Sequence, residues 1–251
     1  MDVTPVMLLT VCPLVFLASL IDAIAGGGGL ISLPAYYLAG LNPAMAAGTN
    51  KLSASFGTLM AAIRYLRKGR LMLRPALFSV PGALLGAYLG AELLEITPEA
   101  FVRGLMLVGL PAMAILVIFQ RPAGESGSCK RAGLPVCLAI GLFCGFYDGF
   151  FGPGTGTLLI ILFTRLLKMD AVTSSGTAKV VNLASNLSAL VSFLISGNVI
   201  WMLGLPAMAC SAAGGYVGSS LAISKGSKLV RRIMLLVLAM ILIKLAWDML
   251  N

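Results

Sequence analysis

The sequence predicts an all-α polytopic membrane protein built from two inverted-topology repeats. It has about eight to ten membrane segments, some of them short or re-entrant and broken by glycine. Three observations predict this class. First, the 251 residues are 59% hydrophobic and only 11% charged, with a mean hydropathy of +1.00. That is too little charge to cover a water-soluble domain of this length. Second, several apolar stretches reach the roughly 17–25 residues that a helix needs to cross a bilayer. Third, the chain is written twice.

Displaced by 128 positions, GTNK at 48–51 falls on GTAK at 176–179, GAYLG at 86–90 on GGYVG at 214–218, and Gly69 on Gly197. FVR at 101–103 falls on LVR at 229–231, and a two-residue adjustment places Asp22, Gly26 and Gly28 on Asp148, Gly152 and Gly154. Ordered matches of this kind indicate a duplication. The expected organisation is a first membrane repeat over 1–120, a connector over 121–132 with the polar, Gly- and Ser-containing character of a linker, and a second repeat over 133–251. Internal repeats are a frequent plan for secondary transporters.

The apolar segments of the first repeat run over 5–24, 29–41, 43–66, 75–94 and 100–119. Those of the second run over 134–149, 155–167, 172–195, 200–222 and 229–250. The opening MDVTPVMLLT carries an acid and no Lys or Arg, so it reads as the start of a membrane segment rather than a cleaved signal. The second segment of each repeat has 13 residues. At about 1.5 Å per residue it covers roughly 20 Å, short of the roughly 30 Å hydrocarbon core. It reads either as a re-entrant piece or as a short crossing helix continued by glycine-rich backbone.

Charge decides between these counts. Of the 18 basic residues, 14 sit in four clusters: Arg64, Arg67, Lys68, Arg70 and Arg74; Arg121, Lys130 and Arg131; Arg165 and Lys168; and Lys225, Lys228, Arg231 and Arg232. Five crossings per repeat place all of them on one side and the acidic turn of Glu92, Glu95 and Glu99 on the other. Four crossings divide them between the faces. Orientation follows the Lys/Arg bias of short loops, which favours the odd count, inverted repeats and a cytoplasmic basic face. The same clustering between apolar runs argues against a nucleic-acid partner despite the net charge of +9.

Composition also limits the chemistry. There is no histidine, which removes the commonest proton shuttle and most zinc sites. Cys12, Cys129, Cys137, Cys144 and Cys210 show no CxxC spacing, and four of them lie in apolar segments as small packing residues. No cofactor and no metal is expected. Without histidine, a G-x-S-x-G motif or a P-loop, an enzyme or an ATP-driven pump is disfavoured.

The polar residues left inside the apolar runs are then informative. Gly26, Gly27, Gly28 and Gly29 end one helix and begin another. Gly152, Gly154, Thr155 and Gly156 repeat the design around Pro153. Non-helical backbone at membrane depth is tolerated where it is buried or lines a cavity. Its freed amides at a helix start suit an anion. Lys51 and Lys179 each lie about 12 Å into a long apolar segment at helical rise. An unpaired ammonium there costs roughly 2.5–3.5 kcal/mol, so each lysine should face a cavity or a partner. Internal pairing would join Asp22 to Lys51 and Asp148 to Lys179. Asp22 and Asp148 are alternatively proton carriers. Thr49, Asn50, Ser53 and Ser55, with Thr177, Asn182, Ser185 and Asn186, add hydrogen-bonding capacity to the lysine segments, most of it expected between helices, while Gly86, Gly90, Gly214 and Gly218 read as close helix contacts.

The motifs LIDAIAGGGG (20–29), LISLP (30–34), GTNK (48–51) and FYDGFFGPGTG (146–156) together resemble the sulfite exporter TauE/SafE family of anion permeases. They look closest to its YfcA-like branch of probable bacterial inner-membrane transporters. The resemblance spans nearly the whole chain. It implies movement of small anions such as sulfite, sulfonates or other organosulfur or organic anions, driven by an ion gradient. Ala178 stands where the first repeat has the asparagine of GTNK, so the two half-sites are chemically unequal.

The expected function is therefore a secondary permease for small anions in the bacterial inner (plasma) membrane, with basic loops cytoplasmic. The alternatives are an anion channel and a transporter of a non-sulfur small solute. The expected partners are the lipid bilayer, a small anionic substrate, a coupling proton or sodium ion, and a second copy of the chain as a homo-oligomer.

Overall fold

The computed structural model describes residues 3–102, 104–105, 108–109, 111–112 and 133–225. The connector 121–132, the segment 229–250, much of 100–119, and with them Cys129 and the basic residues at 121, 130–131 and 228–232, lie outside the described residues.

Eight helices have their bounds within the described residues, which contain no strand. The first four are α1 (Pro5–Ala25), α2 (Gly29–Leu38), α3 (Pro43–Arg67) and α4 (Leu73–Ile96). The others are α5 (Leu134–Phe150), α6 (Thr155–Leu166), α7 (Ala171–Ile195) and α8 (Trp201–Lys225). Each matches an expected apolar segment to within three residues at either end.

Helix ends 128 residues apart are built alike. Asn42 caps α3 by accepting the Met45 amide, and the equivalent Asp170 caps α7 by accepting the Val172 and Thr173 amides. A short polar side chain at this position takes up orphan amides of the first turn. At the other end Gly69 (φ +63°) and Gly197 (φ +74°) stop the helices. Arg70 N donates to Tyr65 O and Asn198 N donates to Phe193 O, the same closing bond 128 residues apart. Left-handed backbone at C′ lets the last carbonyls find partners.

Three of these helices, α1, α4 and α7, are long and apolar enough to cross a membrane by length and composition alone. The 25-residue α3 is less apolar because it carries Thr49, Asn50, Lys51, Ser53, Ser55 and Thr58, and all six are buried. Large apolar side chains such as Leu9 (76% exposed), Ile195 (78%) and Met202 (75%) face outward instead. Polar inside and apolar outside is the arrangement that lipid demands of a helical bundle.

The repeats interlock. α4 of the first repeat lies along α5 of the second, and α8 of the second lies along α1 of the first. On α4, a methyl at Gly82, Gly86 or Gly90 would meet the Leu138, Leu142 or Phe146 carbonyl at 2.3 Å. On α5, a methyl at Gly141, Gly145 or Gly149 would meet the Ser79, Ala83 or Ala87 carbonyl at 2.0–2.5 Å. Two glycine rows spaced four apart thus face each other, and the backbones touch. Gly214 and Gly218 do the same against Phe16 and Leu20. The expected packing role of Gly86, Gly90, Gly214 and Gly218 holds.

Contacts between the repeats are reciprocal. Met72 N donates to Thr177 Oγ1 at 3.1 Å, and Ile200 N donates to Thr49 Oγ1 at 3.1 Å. Gly48 abuts the Asn198 carbonyl and Phe193, while Gly176 abuts the Arg70 carbonyl and Tyr65. In each case the two contacts interconvert by exchanging equivalent positions, as around a two-fold axis. The start of α3 therefore meets the end of α7 and vice versa, so these helices pack antiparallel.

α1 and α3 run the same way: Gly57 faces the Ser19 side chain, and further along both helices the Tyr65 hydroxyl donates to Ala23 O. The stretch between them, α2 with its flanking loops, must carry the chain back. α2 has only ten residues, about 15 Å at helical rise, so glycine-rich backbone makes up the rest. The short second segment is a return path.

Candidate functional site

The two helix breaks meet at the centre of the bundle. α1 ends at Gly26 (φ +74°) and Gly27 (φ +87°), conformations that a side chain disfavours. A Cβ on Gly26 would lie 2.2 Å from Thr157 N, and one on Gly29 would lie 3.1 Å from Pro153 Cα. The α1–α2 break is thus pressed against the α5–α6 break. The freed carbonyls of α1 are taken up from elsewhere: Ala23 O by Tyr65, Ile24 O by Ser175 and Ala25 O by Thr157. The carbonyls at this end of α1 are thus satisfied, as burial requires.

Amides remain on the other side of each break. No hydrogen bond among the described residues uses the amides of Gly27, Gly29 and Gly156, and all three residues line one cavity. The N-termini of α2 and α6 converge there with their partial positive charge. The cavity, of about 50 Å³, has room for a few waters or a small anion.

Two ion pairs flank it, one buried and one part-buried. Lys51 Nζ lies 2.8 Å from Asp148 Oδ2, and Lys179 Nζ lies 2.6 Å from Asp22 Oδ2. The expectation that each lysine pairs within its own repeat is corrected: both pairs cross between repeats. The cause is the packing of α3 against α7, which offers each lysine an aspartate from the other half of the chain.

The pairs differ in their surroundings. Asp148 also accepts hydrogen bonds from Ser185 at 2.6 Å and Asn182 at 3.5 Å, and Lys51 donates to Asn186 at 3.0 Å. Asp22 has the Gly28 amide at 3.3 Å besides its lysine.

Of the expected site residues, Gly27, Gly28, Gly29, Asn50, Lys51, Gly152, Gly154, Thr155, Gly156, Asp22 and Asp148 line the cavity. Lys179 sits immediately behind Asp22 and Gly156. Thr49 and Thr177 lie elsewhere and hold the starts of α8 and α4. Gly26 is in the seam between the breaks.

Asn182, Ser185 and Asn186, expected as hydrogen-bonding residues of the second lysine segment and mostly as helix-to-helix contacts, instead support the Lys51–Asp148 pair. The signal for them was in the repeat alignment, where the first half has Gly57, Ala54 and Thr58 at the same places. Polar gain on one side of a duplication marks where the halves diverge.

Comparison with known proteins finds relatives over nearly the whole chain. The family model for Sulfite exporter TauE/SafE matches residues 11–245. The chain belongs to that family. Among curated TauE/SafE relatives, a probable membrane transporter protein of Haemophilus influenzae is 37% identical, covering 93% of this chain and 92% of its own. The probable membrane transporter protein YfcA of Escherichia coli is 34% identical, covering 98% and 92%. The probable membrane transporter protein YunE of Bacillus subtilis is 25% identical, covering 88% and 90%. No solved structure matches. This TauE/SafE chain is a probable membrane transporter.

Proposed function

We propose that this TauE/SafE protein is a secondary permease that moves small anions, sulfite or sulfonates among them, across the bacterial inner membrane. Alternating access arises between two inverted repeats, 1–120 and 133–251, joined by a cytoplasmic connector at 121–132. The observation that carries the reading is the central cavity, where two helix N-termini with unused amides meet two buried lysines. Such a site is complementary to negative charge. The antiparallel packing of α3 on α7 and the reciprocal cross-repeat contacts support the inversion. Rocking of one repeat against the other about the two-fold axis would expose the same cavity to either side in turn.

Charge distribution supports the orientation. Gly176 abuts the Arg70 carbonyl and Arg64 donates to Ser220 on α8, so the α3–α4 turn, the start of α7 and the end of α8 lie together. Arg64, Arg67, Lys68, Arg70, Arg74, Arg165, Lys168 and Lys225 belong to that end of the bundle. Glu92 and Glu95, bonded to Ser192 and Ser196, belong to the other. The basic end is the cytoplasmic one.

The test is a flux panel in proteoliposomes comparing sulfite, sulfonates, sulfate and carboxylates under imposed proton and sodium gradients. Wild-type vesicles should accumulate at least one of the sulfur anions. Lys51→Ala and Lys179→Ala should abolish that flux at matched protein density, and Lys225→Ala should preserve it. Normal transport by both repeat-lysine variants would show that neither lysine is needed to move the anion.

A further inference from the structure

Equivalent positions in the two repeats have been fitted with different side chains around the two carboxylates. Asp148 is 3% exposed and is gripped by Lys51, Ser185 and Asn182. The positions equivalent to Ser185 and Asn182 beside Asp22 are Gly57 and Ala54, which offer no side-chain hydrogen bond. Asp22 keeps 21% of its side chain open to the cavity. Its lysine, Lys179, is fully buried, beside Asp22 and Gly156, which both line the cavity. A Cβ on Gly156 would lie 3.3 Å from Asp22 Oδ1 and 3.4 Å from Lys179 Nζ, so the bare glycine leaves room beside the pair.

On the anion-transport reading above, we infer that the half-sites divide the work: Asp22–Lys179 is the pair that opens, Asp22 yielding Lys179 to the substrate and carrying the coupling proton, while Lys51–Asp148 stays closed as a brace. Charge balance requires the proton. In the resting site Asp22 and Lys179 cancel. An incoming monoanion that takes Lys179 leaves a second negative charge, the released carboxylate, in a buried place, which is costly. One proton added to Asp22 forms the neutral acid and restores the site to its resting charge. Anion and proton then favour each other's binding, which is the linkage a symporter needs. The same exchange at Asp148 must also break the Ser185 and Asn182 bonds.

The charged or titratable groups near Asp22 are Lys179 on α7 and Tyr65 on α3, with Lys51 of α3 and Asp148 of α5 across the cavity. The described residues of α2, α6 and α8 that line it are glycine, serine and threonine.

Two measurements test the division. Wild-type protein in liposomes is treated with dicyclohexylcarbodiimide, which modifies membrane-buried carboxyls in their protonated form, and mapped by mass spectrometry. Asp22 should be modified several-fold more than Asp148. Equal modification, preferential modification of Asp148, or none at either would overturn the inference without reference to any substrate. Sulfite uptake is then compared with and without an inward-directed proton gradient. In Asp22→Asn the gradient should no longer raise uptake, whereas Asp148→Asn should be slower yet keep the gradient response. A gradient response that survives Asp22→Asn overturns the proton role. If wild-type vesicles move no sulfite while the labelling is confined to Asp22, sulfite as substrate fails and the unequal carboxylates stand.

Discussion

Gly26 and Gly69 both have positive φ, at +74° and +63°, yet they do different things. Gly69 closes α3 at an exposed turn with nothing within 4 Å of its missing side chain. Gly26 sits in the seam where Thr157 N and the Gly156 backbone approach to between 2.2 and 2.8 Å of a built Cβ. Gly69→Ala should therefore cost only the left-handed penalty, about 1–2 kcal/mol. Gly26→Ala combines a backbone collision with a positive-φ, extended-ψ conformation that is essentially glycine's alone, and should cost about 3 kcal/mol or more. Thermal unfolding of the two variants in detergent would check the order, and equal losses would mean that the seam yields. The run of four glycines was legible as a broken helix because nothing else justifies it in an apolar stretch. Its division into seam (Gly26) and cavity wall (Gly27–Gly29) was not legible, because it depends on residues 152–157 arriving from the other half. The same holds for the lysines. A buried ammonium announces that it needs a partner, but identical Asp and Lys in each repeat leave the choice of partner to the two-fold packing.

At the scale of helices, the boundaries were legible to within a few residues, since lipid leaves each crossing segment an apolar run bounded by turns and caps. The pairing of helices was only half legible. Gly86 and Gly90 announced one close face, but the answering row of Gly141, Gly145 and Gly149 is dispersed in an ordinary apolar segment, LPVCLAIGLFCGFYDGF. The α4–α5 contact is a backbone-to-backbone interface, so enlarging either row should separate the helices. Gly145→Leu places its Cβ 2.5 Å from the Ala83 carbonyl and should destabilise the protein by about 3 kcal/mol through overpacking. Phe143→Leu, on a side chain 62% exposed on the lipid side of the same helix, should change little. Thermal unfolding in detergent distinguishes them. Similar midpoints for the two would mean that α4 and α5 do not meet through their glycines.

For the whole molecule, opposite ends carry equivalent contacts with different chemistry. Arg64 Nε donates to Ser220 Oγ at 2.7 Å, linking α3 to α8. The equivalent residues Ser192 and Glu92 link α7 to α4 at 2.8 Å. The duplication has kept the clasp and changed its charge, cationic at one end and anionic at the other. On the proposed inverted-repeat reading, a membrane reads that difference through the Lys/Arg content of its cytoplasmic loops, which would give the molecule a single orientation. Lys68 and Asn198 close equivalent turns, one after α3 and one after α7. The start of α3 touches Asn198 and the start of α7 touches Arg70, which puts the two turns at opposite ends of an antiparallel helix pair. In a background free of other cysteines, Lys68→Cys should react with a membrane-impermeant maleimide only from the cytoplasmic side, in inverted vesicles. Asn198→Cys should react only from outside, in intact cells. Labelling of both from the same side would place α3 and α7 in the same direction across the bilayer. The repeats would then be parallel copies, and rocking about an axis in the membrane plane could not present one cavity to both compartments.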